Sequence, residues 1–122
     1  MFPYNEYLLL AKQWATASDE ASLRCSVSRA YYACFHLIKV FAEKDGKIFK
    51  TDGIVHKEVV DFLKNNLDPN MKMLGVRQDR LRNRRTACDY EKTIKNISGC
   101  TKACIMDADS IFNEIKNGTV IL

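Results

Sequence analysis

The sequence predicts an all-α protein, an antiparallel bundle of four to five helices that forms a single domain over residues 1–122. Three observations support this fold class. Only two prolines and five glycines interrupt the chain, and these residues are the strongest local breakers of helices. Apolar residues recur at three- and four-residue steps through most of the sequence, which is the spacing of one helix face. No stretch shows convincing period-two alternation, apart from the last few residues.

The first two predicted helices follow from two apolar stripes and the capping sequence between them. The first stripe consists of Tyr7, Leu10, Ala11, Trp14 and Ala17. Ser18-Asp19-Glu20 then supplies a cap and acidic residues, which suit the positive beginning of a second helix. That helix is predicted to be the longest, with Asp45-Gly46 at its end. Its stripe consists of Leu23, Val27, Ala30, Cys34, Leu37, Ile38 and Phe41.

Three further helices are predicted after a loop at residues 47–51. The third ends near Asn65-Asn66, and its stripe consists of Val55, Val59, Phe62 and Leu63. Asp68-Pro69 is a suitable cap and first-turn pair for the fourth helix, whose stripe consists of Leu74, Leu81 and Cys88. Gly118 is predicted to close the fifth. Its stripe consists of Ile97, Thr101, Cys104, Ile105, Ala108, Ile111, Phe112 and Ile115.

Composition limits the classes of protein that the chain can represent. No apolar run approaches the roughly 20 residues that a membrane span needs, and the N-terminus lacks the basic region of a secretory signal. We therefore predict no membrane association. The five cysteines include no CxxC pair, which favours a reduced, cytoplasmic protein. Cys100 and Cys104 alone do not complete a ligand set, so we predict neither a metal nor a cofactor.

The positive charge is concentrated late in the chain. The net charge is +4, and residues 77–85 contain five arginines against one acid, Asp79. Such a density of cations favours a phosphate or an acidic partner. A solvated helix face is the alternative interpretation of the same pattern.

Two short rows of polar and aromatic residues are candidates for a site. In the second helix, Arg29, Tyr32 and His36 lie opposite the apolar stripe at i, i+3 and i+7. They either pack against another helix or line a groove that holds a ligand or partner. In the fourth helix, Arg82, Arg85 and Asp89 fall within about 60° of one another. Arg85 and Asp89 are four residues apart and could pair, whereas Tyr90 points to the other side.

Three segments together resemble the HEPN domain family, especially its small stand-alone prokaryotic members. They are SRAYYACFH at 28–36, HKEVVDFL at 56–63, and the pattern RxxRxxxDY that ends at Tyr90. They occur in the family's order and extend over essentially the whole chain. The resemblance implies an antiparallel helical bundle, a homodimer with a cleft between protomers, and metal-independent ribonuclease activity. It also implies a role as a toxin paired with a minimal nucleotidyltransferase as antitoxin.

The chain departs from the family's catalytic pattern at one place. The family motif is an arginine, a polar residue, a spacer and a histidine. Arg82 and Asn83 fit its beginning, but the positions five to seven residues after Arg82 hold Ala87, Cys88 and Asp89. No histidine follows His56. His36 and His56 are therefore the imidazoles that remain as substitutes, from other helices.

These observations leave three hypotheses. The first, which we take as the prediction, is a HEPN-like module of a toxin–antitoxin or phage-defence system that binds RNA, a nucleotide or a protein partner. Its candidate binding residues are Arg29, Tyr32, His36, Arg77, Arg82, Arg84 and Arg85. The second is a metal-independent endoribonuclease with an altered site at Arg82, Arg85, Asp89 and Tyr90. The third is a helical adaptor that meets an acidic partner without binding nucleic acid.

Overall fold

The structure, a computed structural model, describes residues 3–44, 46–49 and 54–117, and within these ranges it contains five helices and no strand. The predicted all-α bundle is confirmed. The helices are α1 (Asn5–Trp14), α2 (Glu20–Glu43), α3 (Val55–Lys64), α4 (Pro69–Tyr90) and α5 (Ile97–Lys116). Asp45, two residues of the predicted 47–51 loop, Gly118 and the alternating last residues lie outside the described ranges.

The predicted caps begin the second and fourth helices. The Asp19 carboxylate accepts a hydrogen bond from the Ser22 amide at 2.9 Å, and Asp68 accepts one from the Asn70 amide at 2.9 Å. Each carboxylate satisfies one of the free amides at a helix beginning and lies at the positive end of the helix dipole. The first helix ends at Trp14, before the predicted Ala17, because the following amides of Thr16 and Ala17 bond three residues back in tighter turns.

Helix α2 is the centre of the bundle, with each of the other helices packed against it. Helices α1 and α2 run antiparallel, since the Ser26 hydroxyl donates to the Ala11 carbonyl at 2.6 Å and His36, farther along α2, stacks on Tyr4 at the beginning of α1. Because α2 meets neighbours on several sides, its buried surface is wider than the predicted stripe. Its buried residues are Leu23, Ser26, Val27, Ala30, Tyr31, Ala33, Cys34, Phe35, Ile38 and Ala42.

Helices α3 and α4 approach closely at a glycine. Gly75 of α4 is buried against Leu63 and Lys64, near the end of α3, and its missing side chain leaves no room for a larger residue. The two helices run in opposite directions from this point. The beginning of α3, with His56, therefore lies beside the part of α4 that carries Arg82 and Arg85. Among the described residues, no helix combines the length and the apolar character that crossing a bilayer requires.

Candidate functional site

The candidate site is centred on Tyr31, a buried tyrosine where α2, α3 and α4 meet. Its side chain is fully buried, and its hydroxyl oxygen lies 2.5 Å from Nδ1 of His56 at the beginning of α3. A buried phenol normally requires a polar partner, and His56 supplies it here. The hydrogen bond joins residues that are 25 positions apart, so only the packing of α3 against α2 creates it.

The Arg85 guanidinium of α4 lies on the rings of two successive tyrosines. Its central carbon is 5.1 Å from the ring centre of Tyr31 and 5.6 Å from that of Tyr32, within the range of cation–π attraction. Nη1 donates to the Asp89 carboxylate at 3.3 Å, which confirms the predicted pair. The Nε of Arg85 is buried and has no partner among the described residues. Such an unpaired buried donor is costly, because no hydrogen bond offsets the loss of its contact with water.

Imidazole and tyrosine rings extend this arrangement along the surface of α2. His36 stacks on Tyr4 with ring centres 4.4 Å apart, and His56 stacks on Phe35 at 4.2 Å. Arg29 lies over the Tyr32 ring at 5.3 Å. We call the surface formed by the side chains at this junction the aromatic–arginine face. It consists of Arg29, Tyr32, His36, His56, Arg82 and Arg85.

The positive and apolar surroundings hold both histidines neutral. Burial lowers the pKa of His56, and the nearby charges of Arg85 and Arg82 lower it further. The pKa of His36 is lowered by burial and then by Lys39 and Arg29. Burial raises the pKa of Tyr31 to about 12. At neutral pH the Tyr31 phenol and both imidazoles are therefore uncharged, and the arginines carry the positive charge of the face.

The protonation of Tyr31 bears on the direction of its hydrogen bond with His56. Burial keeps the phenol protonated, and His56 is the hydrogen-bond partner of this hydroxyl among the described residues. We therefore assign the Tyr31 hydroxyl as the donor and Nδ1 of His56 as the acceptor. A neutral histidine that accepts at Nδ1 carries its own proton on Nε2. His56 is thereby set as a hydrogen-bond donor toward a ligand.

The remaining arginines of residues 77–85 face α5 instead. Arg77 pairs with Glu114, and Arg80 and Arg84 share the Asp107 carboxylate at 2.8 and 3.1 Å. The predicted cationic stripe is thus split between two sides of α4. Arg77 and Arg84, which the sequence grouped with the binding residues, are neutralised by acids and lie apart from Arg82 and Arg85.

The residues of the altered ribonuclease site are only partly brought together. Arg82, Arg85 and Asp89 lie on the same side of α4, whereas Tyr90 is 77% exposed and, as predicted, lies on another side. Tyr31 is the residue that sequence reasoning missed as a member of the site, whereas the sequence offered His56 only as a substitute imidazole from another helix. A signal for Tyr31 was available, since adjacent residues such as Tyr31 and Tyr32 point in different directions on a helix. One of the two tyrosines had to meet another helix.

The lowered histidine pKa values predict a pH-dependent stability. The unfolded chain takes up protons on histidine near pH 6.5, whereas the folded chain does so only at lower pH. The unfolded state therefore binds more protons in this window. The contribution of the histidines to the free energy of unfolding should be fully present above pH 6.5 and should be lost as the pH decreases below it. Urea unfolding between pH 7.5 and 5 measures this. The His36→Gln, His56→Gln double variant should have a flatter profile, and an equally steep one would contradict the assignment.

Functional inference rests on the geometry of the candidate site, because comparisons with known proteins give no match. In searches with family models, against curated proteins and against solved structures, nothing matches the chain. Within the described part of the chain, no group of three or more histidine, cysteine, aspartate or glutamate side chains is arranged to hold a metal ion.

Proposed function

We propose that the chain is a binding module for single-stranded RNA and that the aromatic–arginine face is its contact surface. The observation that carries this proposal is the position of the Arg85 guanidinium on two tyrosine rings, with an unpaired Nε. Arg82 is near enough to lower the pKa values of both Tyr31 and His56. Proteins bind single strands by stacking unpaired bases on aromatic or guanidinium planes and by attracting the backbone with cations. The face contains both kinds of group.

The absence of counter-charges distinguishes Arg82 and Arg29 from the arginines that face α5. Neither has an ion pair among the described residues, whereas Arg77, Arg80 and Arg84 are each paired with an α5 carboxylate. An unpaired guanidinium retains its full attraction for a phosphate. For the same reason the paired arginines give little support to an adaptor that uses them to meet an acidic partner.

The biological setting of the proposal comes from the HEPN resemblance. The three segments that carry it, 28–36, 56–63 and 82–90, lie on α2, α3 and α4, the helices that form the aromatic–arginine face. This common location supports treating the segments as parts of one site. We accordingly include in the proposal a cytoplasmic homodimer that belongs to a toxin–antitoxin or phage-defence pair, with a minimal nucleotidyltransferase as its partner.

Ribonuclease activity is the second candidate function, and His56 is the observation that favours it. Metal-independent cleavage needs a group that accepts the proton of the RNA 2′-hydroxyl while that oxygen attacks phosphorus and the 5′-oxygen leaves with a proton from water. A neutral imidazole beside two arginines has suitable chemistry. However, a His56 that accepts at Nδ1 from Tyr31 presents Nε2–H, which donates to a phosphate and does not remove a proton. The hydrogen-bond direction therefore favours binding over cleavage.

Binding and cleavage are separated by two measurements on the same RNA. Fluorescence anisotropy with a labelled 12-nucleotide single strand and the matching duplex should give at least tenfold tighter binding to the single strand, because only its bases are free to stack. Incubation of that RNA in EDTA should leave it intact. Equal affinity for the duplex would contradict the stacking surface. Cutting in EDTA that disappears with His56→Gln would replace the binding module with the ribonuclease.

A further inference from the structure

A groove continues from the aromatic–arginine face toward the corner between α1 and α2. It has a volume of about 390 Å³, within the range of small-ligand sites. Its lining includes Trp14 at the end of α1, Ser28 and Arg29 of α2, and Asp89 of α4. We propose that this groove binds one guanine base of the single-stranded RNA. The inference rests on the proposed function and assigns it a base preference.

The last turn of α4, which carries Asp89, is held in place by an arginine of α2. Nη1 of Arg24 donates to the carbonyl oxygen of Cys88 at 2.9 Å and to that of Glu91 at 2.7 Å. These carbonyls belong to the end of α4, where backbone acceptors lack partners within the helix. Arg24 thereby fixes the last turn of α4 against α2. Asp89 is consequently presented to the groove by a rigid element, which a selective site requires.

The side chains that line the groove offer the two kinds of contact by which proteins recognise a base, namely stacking on its plane and hydrogen bonding to its edge. Trp14 is half-buried and offers an indole plane on which a base can stack. The Asp89 carboxylate is acceptor-only, so it recognises an edge that presents adjacent N–H donors. Among the four RNA bases, guanine has such an edge, at N1–H and the N2 amino group. Adenine, cytosine and uracil each place an acceptor next to the donor on their Watson–Crick edge.

The groove and the aromatic–arginine face are joined by two residues. Arg29 lines the groove and also lies over the Tyr32 ring at 5.3 Å. Asp89 also lines the groove, and its Oδ2 accepts a hydrogen bond from Arg85. A base in the groove would therefore leave its phosphate near Arg29 and Arg85. The neighbouring nucleotides then continue along Tyr32 and His36 on the same surface of α2.

The single tryptophan of the chain makes occupancy of the groove directly measurable. Trp14 is the only tryptophan, so its fluorescence reports the groove without interference from other indoles. Titration with GMP should give saturable quenching at concentrations at least tenfold lower than AMP, CMP or UMP require. Ribose 5-phosphate should give none, and free N-acetyltryptophanamide corrects for quenching in solution. Equal responses to all four nucleotides, or none to GMP, would overturn the proposal.

Asp89→Asn tests the source of the preference. It should reduce the GMP affinity at least tenfold and bring it to that of AMP, because an amide no longer offers two acceptors. Asp61→Asn is the matched control, since it makes the same charge change on an exposed position of α3, and it should leave the preference unchanged. An Asp89→Asn protein that still prefers GMP would contradict the assigned role.

Alkylation of Cys25 provides a second measurement that does not depend on fluorescence. Cys25 is exposed and lines the groove, whereas Cys100 is half-buried and is not one of the lining residues. GMP should slow the reaction of Cys25 with iodoacetamide at least fivefold and leave that of Cys100 unchanged. Unprotected Cys25 at saturating GMP would place the nucleotide outside the groove. RNA binding without any GMP selectivity would contradict the guanine site but leave the proposed RNA-binding function in place. Selective GMP binding without RNA binding would contradict the proposed function but leave the guanine site in place.

Discussion

Replacement of Arg85 by methionine is expected to weaken single-stranded RNA binding by about ten- to a hundredfold, which corresponds to the roughly 1.5–3 kcal/mol of a charge-assisted hydrogen bond. Methionine retains much of the apolar contact with Tyr31 and Tyr32 but removes the charge and the planar donor group. Anisotropy titration with the labelled 12-nucleotide RNA measures the loss. Far-UV circular dichroism and the midpoint of urea unfolding establish that the variant is folded.

Arg85→Lys separates the contribution of the charge from that of the guanidinium plane. Lysine keeps the positive charge but cannot lie flat on two rings while it also bonds to Asp89. We expect an affinity between those of the wild type and Arg85→Met. If Arg85→Met is folded and binds the RNA as tightly as the wild type, the aromatic–arginine face is not the contact surface.

Replacement of Gly75 by valine is expected to lower the free energy of unfolding by about 1–3 kcal/mol through overpacking. A Cβ at this position would lie 2.9 Å from the Cβ of Leu63 and 3.0 Å from the backbone nitrogen of Lys64. These atoms belong to or adjoin the backbone of α3, so they cannot move aside as the tip of a long side chain could. Helix α3 must therefore shift away from α4. Urea unfolding measures the change.

Met73→Val is the matched control for Gly75→Val. It introduces the same β-branched residue into the same helix at a position that is 45% exposed, so it reports only the small helix-propensity cost of valine. The displacement of α3 should also move His56 away from Tyr31, and RNA affinity should fall in Gly75→Val but not in Met73→Val. Equal stability of the two variants would contradict the close approach of α3 and α4.

Local signals predicted the helices well because each depends on residues within one or two turns. The caps at Asp19 and Asp68 and the Arg85–Asp89 pair are all contacts over two to four positions. Such contacts follow from helical spacing alone. The same reasoning could not anticipate that α2 is buried on several sides, since this depends on how many neighbours surround it.

The division of the arginines is a tertiary property that the sequence pattern does not contain. Arg84 and Arg85 are adjacent and have the same chemistry, yet one pairs with Asp107 of α5 and the other lies on Tyr31 of α2. Helical geometry predicts that adjacent residues face different ways, but the identity of the facing helices depends on the whole bundle. The pairing of His56 with Tyr31 could not be predicted for the same reason, because it is fixed by the packing of α3.

The salt dependence of single-stranded RNA affinity tests the central claim most directly. Each neutralised phosphate of a single strand contributes about 0.7 to the slope of log affinity against log salt concentration. Arg82→Gln should therefore reduce the slope of the wild type by about 0.7. Arg80→Gln makes the same charge change on the side of α4 that faces α5, where Arg80 pairs with Asp107. It should leave the slope unchanged.

The comparison between these two variants is decisive because each removes one positive charge, but from a different side of α4. A reduced slope for Arg82→Gln alone is the result expected if unpaired guanidinium groups beside the tyrosines hold the RNA backbone. Equal slopes for both variants and the wild type, or a reduction in Arg80→Gln alone, would contradict that claim.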